Sequence, residues 1–65
     1  MNILTVGPDA TYKTIGAAIA KAADGDMVVV GGGVYRERVV VNKPIAVVAA
    51  DGEEPVIDGG YSREW

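Results

Sequence analysis

The chain contains neither cysteine nor histidine. Disulfide staples, zinc sites of thiolate and imidazole type, cysteine nucleophiles and every mechanism with a histidine base are therefore excluded. Positive charge is also scarce. Six Lys and Arg residues stand against nine Asp and Glu, for a net charge of −3, and they form no basic stripe. Nucleic acid is thus not an expected partner, and an acidic polysaccharide would receive no electrostatic help. No apolar run approaches the roughly 20 residues that cross a bilayer. The opening Met-Asn-Ile-Leu-Thr-Val-Gly-Pro lacks the basic region and apolar core of a secretory signal, so the chain as written reads as cytoplasmic.

With 65 residues the chain makes one small domain. Such a domain buries only about 60% of the surface its unfolded chain exposes, and is thinly stabilised. Since disulfides and metal staples are excluded, association with copies of itself or with further coils is the expected support.

Ile3 to Val6 reads as a short strand, stopped by the Gly7-Pro8-Asp9 turn. Thr11 is a credible N-cap for a helix. From Tyr12 to Ala23 the apolar residues Tyr12, Ile15, Ala18, Ile19 and Ala22 recur at helical spacing, and Gly25 stands where a helix C-terminal glycine belongs. Gly16, inside that helix, marks a close approach to another backbone.

Short β-branched runs follow at Met27 to Val30, Val34 to Val41, Ile45 to Val48 and Pro55 to Asp58. Val28-Val29-Val30 and Val39-Val40-Val41 are apolar at consecutive positions, as in parallel strands covered on both faces. The gaps between runs are too short for parallel crossovers between adjacent strands. Two arrangements resolve this conflict. In an antiparallel meander every gap is a hairpin; in a solenoid each gap turns a corner and the chain pairs with itself one coil later. Spacings of about nineteen between the Val28 and Val47 regions, and about seventeen between the Val40 and Ile57 regions, favour the solenoid. Asn42-Lys43-Pro44 is also a poor hairpin turn, because proline cannot supply a positive φ.

The order "TVGPDATYKTIGAAIAKAADGDMVVVGGGVYRERVVVNKPIAVVAADG" followed by "PVIDGG", from Thr5 to Gly60, resembles the N-terminal region of right-handed parallel β-helix proteins of the pectin-lyase-like superfamily, pectin methylesterases most of all. The resemblance implies a mainly β fold: a truncated right-handed parallel β-helix of about two coils, capped by an amphipathic helix. Residues 1–10 would form a strand and turn, 11–25 the capping helix, 26–60 the coils and 61–65 a tail. In pectin methylesterases the catalytic aspartates, the glutamine-rich oxyanion site and the arginine lie in later coils, as do the calcium and basic residues of pectate lyases. The resemblance therefore assigns no catalytic residue, metal or cofactor here, and implies a non-catalytic capping and first-coil module of a carbohydrate-active protein. Members of that family are often secreted.

Asp24, Asp26 and Asp58 could hold calcium or act as acid and base, but Asp24-Gly25-Asp26 and Asp58-Gly59-Gly60 read better as turns in which Asp bonds nearby backbone. Gly31-Gly32-Gly33 lacks the Lys-Ser or Lys-Thr and the helix of a phosphate loop, so a tight corner is preferred. Arg36, Glu37 and Arg38 read as a solvated face with local ion pairs. Tyr35, Tyr61 and Trp65 are the candidate sugar contacts; otherwise Tyr35 packs at a corner with its hydroxyl wet, and Tyr61 and Trp65 cover an apolar end.

The tail "GGYSREW" carries no capping element, which leaves an open last rung. Downstream coils or a second copy, as a homo-oligomer, are the expected covers. A free-standing self-associating module with weak glycan binding is the alternative function, and pectin esterase or polysaccharide lyase activity a further one.

Overall fold

A computed structural model describes residues 1–64. Its elements are β1 (Ile3–Val6), α1 (Ile15–Lys21), β2 (Met27–Val30), β3 (Gly33–Tyr35), β4 (Val39–Val41), β5 (Ala46–Ala49), β6 (Pro55–Ile57) and β7 (Tyr61–Arg63). The chain is mainly β with one short helix. Three small sheets run in the orders β1-β2-β5, β3-β6 and β4-β7, and every strand pairing among the described residues is parallel.

No strand pairs with the strand that follows it after a short gap, so the antiparallel meander is overturned. Val28 instead lies against Val47, Val34 against Val56 and Val40 against Ser62. Partners are thus about twenty residues apart, long enough for a parallel connection, and each short gap only turns a corner. The strands β5, β6 and β7 pair in the same order with β2, β3 and β4, as one tier upon another.

Parallel partners in register place their side chains on the same face. Val28, Val30, Tyr35, Val39 and Val41 of the first tier are buried, together with Leu4 and Val6 of β1 and Ile15, Ala18, Ile19 and Ala22 of the helix segment. Burial then declines across the second tier. Val47 and Ile57, in register with Val28 and Tyr35, are only partly buried, and Tyr61, in register with Val39, is 47% exposed. The core therefore sits on the side that α1 covers.

The helix is shorter than its apolar spacing predicts. Its N-cap is Thr14, whose side chain accepts from the Ala17 amide, and not Thr11; the C-cap is Ala22. Tyr12 cannot join it, because Tyr12 is bridged to Val6 and exchanges backbone hydrogen bonds with Thr5 and Gly7. Gly25 has φ +87°, but it shapes the turn into β2 and lies beyond the helix end.

The predicted run from Val34 to Val41 is broken at Arg36-Glu37-Arg38 into β3 and β4. Gly59 explains the corner: at φ +148° it lies so close to the Glu37 carbonyl that a Cβ there would collide with it. Residues 61–63, expected as tail, form β7 because their pairing with β4 supplies hydrogen bonds that their own propensity would not.

Candidate functional site

The corner residue Glu37 has a task that a solvated face does not predict. Its carboxylate accepts from the Ile15 amide at 2.9 Å through Oε2 and from the Gly16 amide at 2.9 Å through Oε1. Gly16 thus marks a close approach to this carboxylate and not to another backbone. The opposite helix end is held by Lys43, whose Nζ donates to the Ile19 and Ala22 carbonyls at 2.8 Å each. Negative charge at the N-terminus and positive charge at the C-terminus both match the helix dipole. The first turn of α1 has no acidic residue of its own. That unfilled need is the signal in the sequence that could have pointed to Glu37.

Asp26 is the buried charged residue of the core. Its Oδ1 accepts from the Asn2 amide at 2.8 Å and its Oδ2 from the Ala23 amide at 2.9 Å. These bonds, the Asn2 bond foremost, hold its carboxyl below the usual aspartate range, against the opposing effect of burial. The turn reading of Asp24-Gly25-Asp26 is thereby given a physical content: Asp26 ties β1, the helix exit and β2 together. Among the described residues no group of three acidic side chains is placed to hold a metal ion.

The Gly31-Gly32-Gly33 corner binds a carboxylate of the chain itself, since the Gly32 amide donates to Glu53 Oε1. Gly33, at φ +138°, supplies the backbone freedom. Beside it lies a shallow cleft of about 280 Å³ lined by Pro8, Lys13, Gly32, Gly33, Val34 and Tyr35. Its cation is already engaged, because Lys13 Nζ donates to the Pro8 carbonyl at 2.8 Å and the Ala10 carbonyl at 3.0 Å. No nucleophile, base and oxyanion donor converge there.

The aromatic candidates are not brought together. Tyr35 is 7% exposed, and its hydroxyl donates to the Gly31 carbonyl at 2.7 Å, so the hydroxyl is not wet and the ring offers no free face. Burial pushes its pKa up, with the Glu53 and Glu37 charges adding to the effect. Tyr61 is exposed and belongs to a different sheet. Trp65 lies outside the described residues.

What remains is the outer edge of the second tier. Among the described residues no strand lies beyond β5, β6 or β7. The Ala46 amide donates to Asp26 and the Ala50 amide to Val30, so the alternation of a strand turns the N–H and C=O of Val47 and Ala49 toward the open edge. By the same alternation the Asp58 amide donates to Tyr35 and the Glu64 amide to Val41, which leaves the backbone groups of Ile57, Tyr61 and Arg63 facing that edge. Arg63 also donates from its guanidinium to the Ile45 carbonyl at 2.9 Å, closing the corner between β7 and β5. Among the described residues the edge presents a row of backbone donors and acceptors beside half-covered apolar side chains.

No helix among the described residues is long and apolar enough to cross a membrane. No protein-family model, curated protein or solved structure matches this chain.

Proposed function

We propose that the chain is the non-catalytic capping and first-coil module of a carbohydrate-active, right-handed parallel β-helix, with α1 closing one end and the outer edge of β5, β6 and β7 seating the next coil. The observation that carries this reading is the order of the tiers. Strands pair in parallel with those about twenty residues earlier, while burial declines away from the helix. Such an edge asks for another layer. The right-handed sense is supported by the general preference of parallel β–α–β crossovers such as β1–α1–β2 for that hand. The carbohydrate context rests on the resemblance carried by "YKTIGAAIAKA", "GDMVVVGGGVYRERVVV" and "VIDGG".

Appending a second copy of residues 42–64 to the chain tests the seat. The expected result is a third tier that unfolds in one transition with the rest, at higher temperature and with a larger denaturant slope, because more surface is exposed on unfolding. An appended segment whose amides exchange like those of an unfolded chain would sink the reading. Incubation of the chain with methyl-esterified pectin is expected to release no methanol, and turnover would overturn the non-catalytic assignment.

A further inference from the structure

We infer that Asp51-Gly52 is a site of spontaneous backbone modification, where the aspartyl residue converts through a cyclic imide to its isoaspartyl form. What singles it out is an exposed turn in which the Asp51 carboxyl stands beside a Gly52 amide that the fold leaves unbonded.

Three Asp-Gly pairs occur in the chain: Asp24-Gly25, Asp51-Gly52 and Asp58-Gly59. A glycine after aspartate gives the amide nitrogen its least hindered approach to the side-chain carboxyl, since no Cβ stands in the way. Two of the pairs are close copies of one another. Ala22-Ala23-Asp24-Gly25 and Ala49-Ala50-Asp51-Gly52 are the same four residues, each followed by an acidic one. Their turns match as well: Gly25 has φ +87° and Gly52 φ +74°. The Asp26 amide closes one turn on the Ala23 carbonyl and the Glu53 amide closes the other on Ala50, both at 3.0 Å. Asp24, Gly25, Asp51 and Gly52 are all exposed, so exposure does not separate them. The reacting nitrogen does. The Gly25 amide donates to the Pro44 carbonyl at 2.8 Å, whereas the Gly52 amide has no hydrogen-bond partner among the described residues. Asp26 ties the first turn further by accepting from the Ala23 amide. At the third pair Gly59 is wedged against the Glu37 carbonyl, and the flanking Asp58 amide and Gly60 carbonyl are bonded to Tyr35 and Val39, which holds the backbone still.

The reaction needs only the chain and water. The Asp51 carboxyl, neutralised by a proton from solvent, is attacked at Cγ by the Gly52 nitrogen. A C–N bond forms, and the carboxyl hydroxyl leaves with the amide hydrogen as water. Water then opens the imide. Addition at Cγ restores aspartate; addition at the backbone carbonyl routes the chain through the side chain, one methylene longer, and leaves a free α-carboxylate with the composition unchanged. The added methylene falls inside the turn that the Glu53–Ala50 bond closes. Glu53 is also the residue whose carboxylate accepts from the Gly32 amide. Isomerisation therefore breaks that contact and frees the Gly31-Gly32-Gly33 corner, while β2 and β5 keep their pairing.

Incubating the folded chain at neutral pH in heavy-oxygen water, followed by peptide mapping, tests this, because each opening of the imide leaves one heavy oxygen in the product. Label and the isoaspartyl isomer are expected to accumulate at Asp51 at least about fivefold faster than at Asp24, the factor for opening one net hydrogen bond of about 1 kcal/mol. In urea, where the Pro44 contact is gone, the two matching sequences are expected to react at near-equal rates. Equal rates in the folded chain, faster reaction at Asp24 or Asp58, or a preference for Asp51 that persists in urea would overturn the inference. Asp51→Glu, whose longer side chain closes a ring poorly, is expected to take up no label at residue 51, and label there would assign the signal to another reaction and overturn it too. Amide exchange of the isomerised chain reads the consequence. Gly32 is expected to lose protection while Val28 and Val47 keep theirs, and a Gly32 amide protected as before would overturn the link between the turn and the glycine corner.

Discussion

Glu37 and Ile15 are twenty-two positions apart, yet the Glu37 carboxylate accepts the Ile15 amide at 2.9 Å and the neighbouring Gly16 amide at the same distance. This contact joins the corner between β3 and β4 to the first turn of α1. Lys43 makes the complementary contact at the last turn, on the Ile19 and Ala22 carbonyls. A helix of seven residues is too short to persist on its own. Its place over the core follows from its buried face and from two charged side chains of the corners that flank β4.

Replacing Glu37 with Ala should therefore destabilise the chain by about 1.5–3 kcal/mol, the range for hydrogen bonds to a charged group. Lys43→Met should cost about 1 kcal/mol for the same reason at the other end. Because both act on one short helix, the double variant should depart from the sum of the two, as urea denaturation of all four proteins can measure. Additive losses would mean that the two clamps work independently.

Gly59 is expected to tolerate no side chain. Gly59→Ala adds a Cβ at φ +148° against the Glu37 carbonyl, so strain and collision combine and the loss should exceed about 2 kcal/mol. Gly25→Ala, at φ +87° in open space, should cost only the backbone strain, about 1 kcal/mol. Melting temperatures of the two variants decide whether the corner requires that close approach.

Much of this architecture is legible in the sequence, and the exceptions share a cause. Met27 to Val30 announces itself as a strand because β-branched residues are bounded by turn residues on both sides. Ile3 to Val6 does the same. Glu37 was hidden because its partners are distant along the chain, and a Glu between two Arg residues reads locally as an ion-paired surface. Tyr61-Ser62-Arg63 was hidden because its strand character comes from pairing with Val39-Val40-Val41. Tyr12 fits the helical spacing, but its bridge to Val6 takes it out of the helix. In each case a tertiary contact outweighs the local signal. The packing of Tyr35 at a corner was legible, but the pairing of its hydroxyl was not, since nothing nearby reveals the Gly31 carbonyl as its partner.

Acid should weaken the fold partly through Asp26. Hydrogen bonds from Asn2 and Ala23 hold its folded pKa below the unfolded value of about 3.9. A depressed carboxylate contributes stability that is fully present above the unfolded pKa and is lost as pH falls through the folded one. The melting temperature should therefore drop as pH is lowered below about 4, the window set by the unfolded Asp pKa. Asp26→Asn should be less stable at neutral pH and show a flatter pH dependence. A parallel decline in both proteins would show that other carboxylates dominate.

The decline of burial across the tiers should appear as a gradient of mutational cost. Val39→Ala removes a side chain that is 1% exposed and should cost about 2 kcal/mol by transfer and cavity terms. Val56→Ala, at a position 54% exposed, should lie within about 0.5 kcal/mol of the parent. Equal losses at the two positions, read from denaturation midpoints, would contradict a core concentrated on the helix side.

The arrangement of tiers itself is tested most directly by a through-space proton NMR spectrum of the isotopically labelled chain. The account predicts backbone contacts between Val28 and Val47, Val34 and Val56, and Val40 and Ser62. Contacts that instead join β2 to β3 and β4 to β5 across their short connecting corners, in antiparallel register, would contradict it.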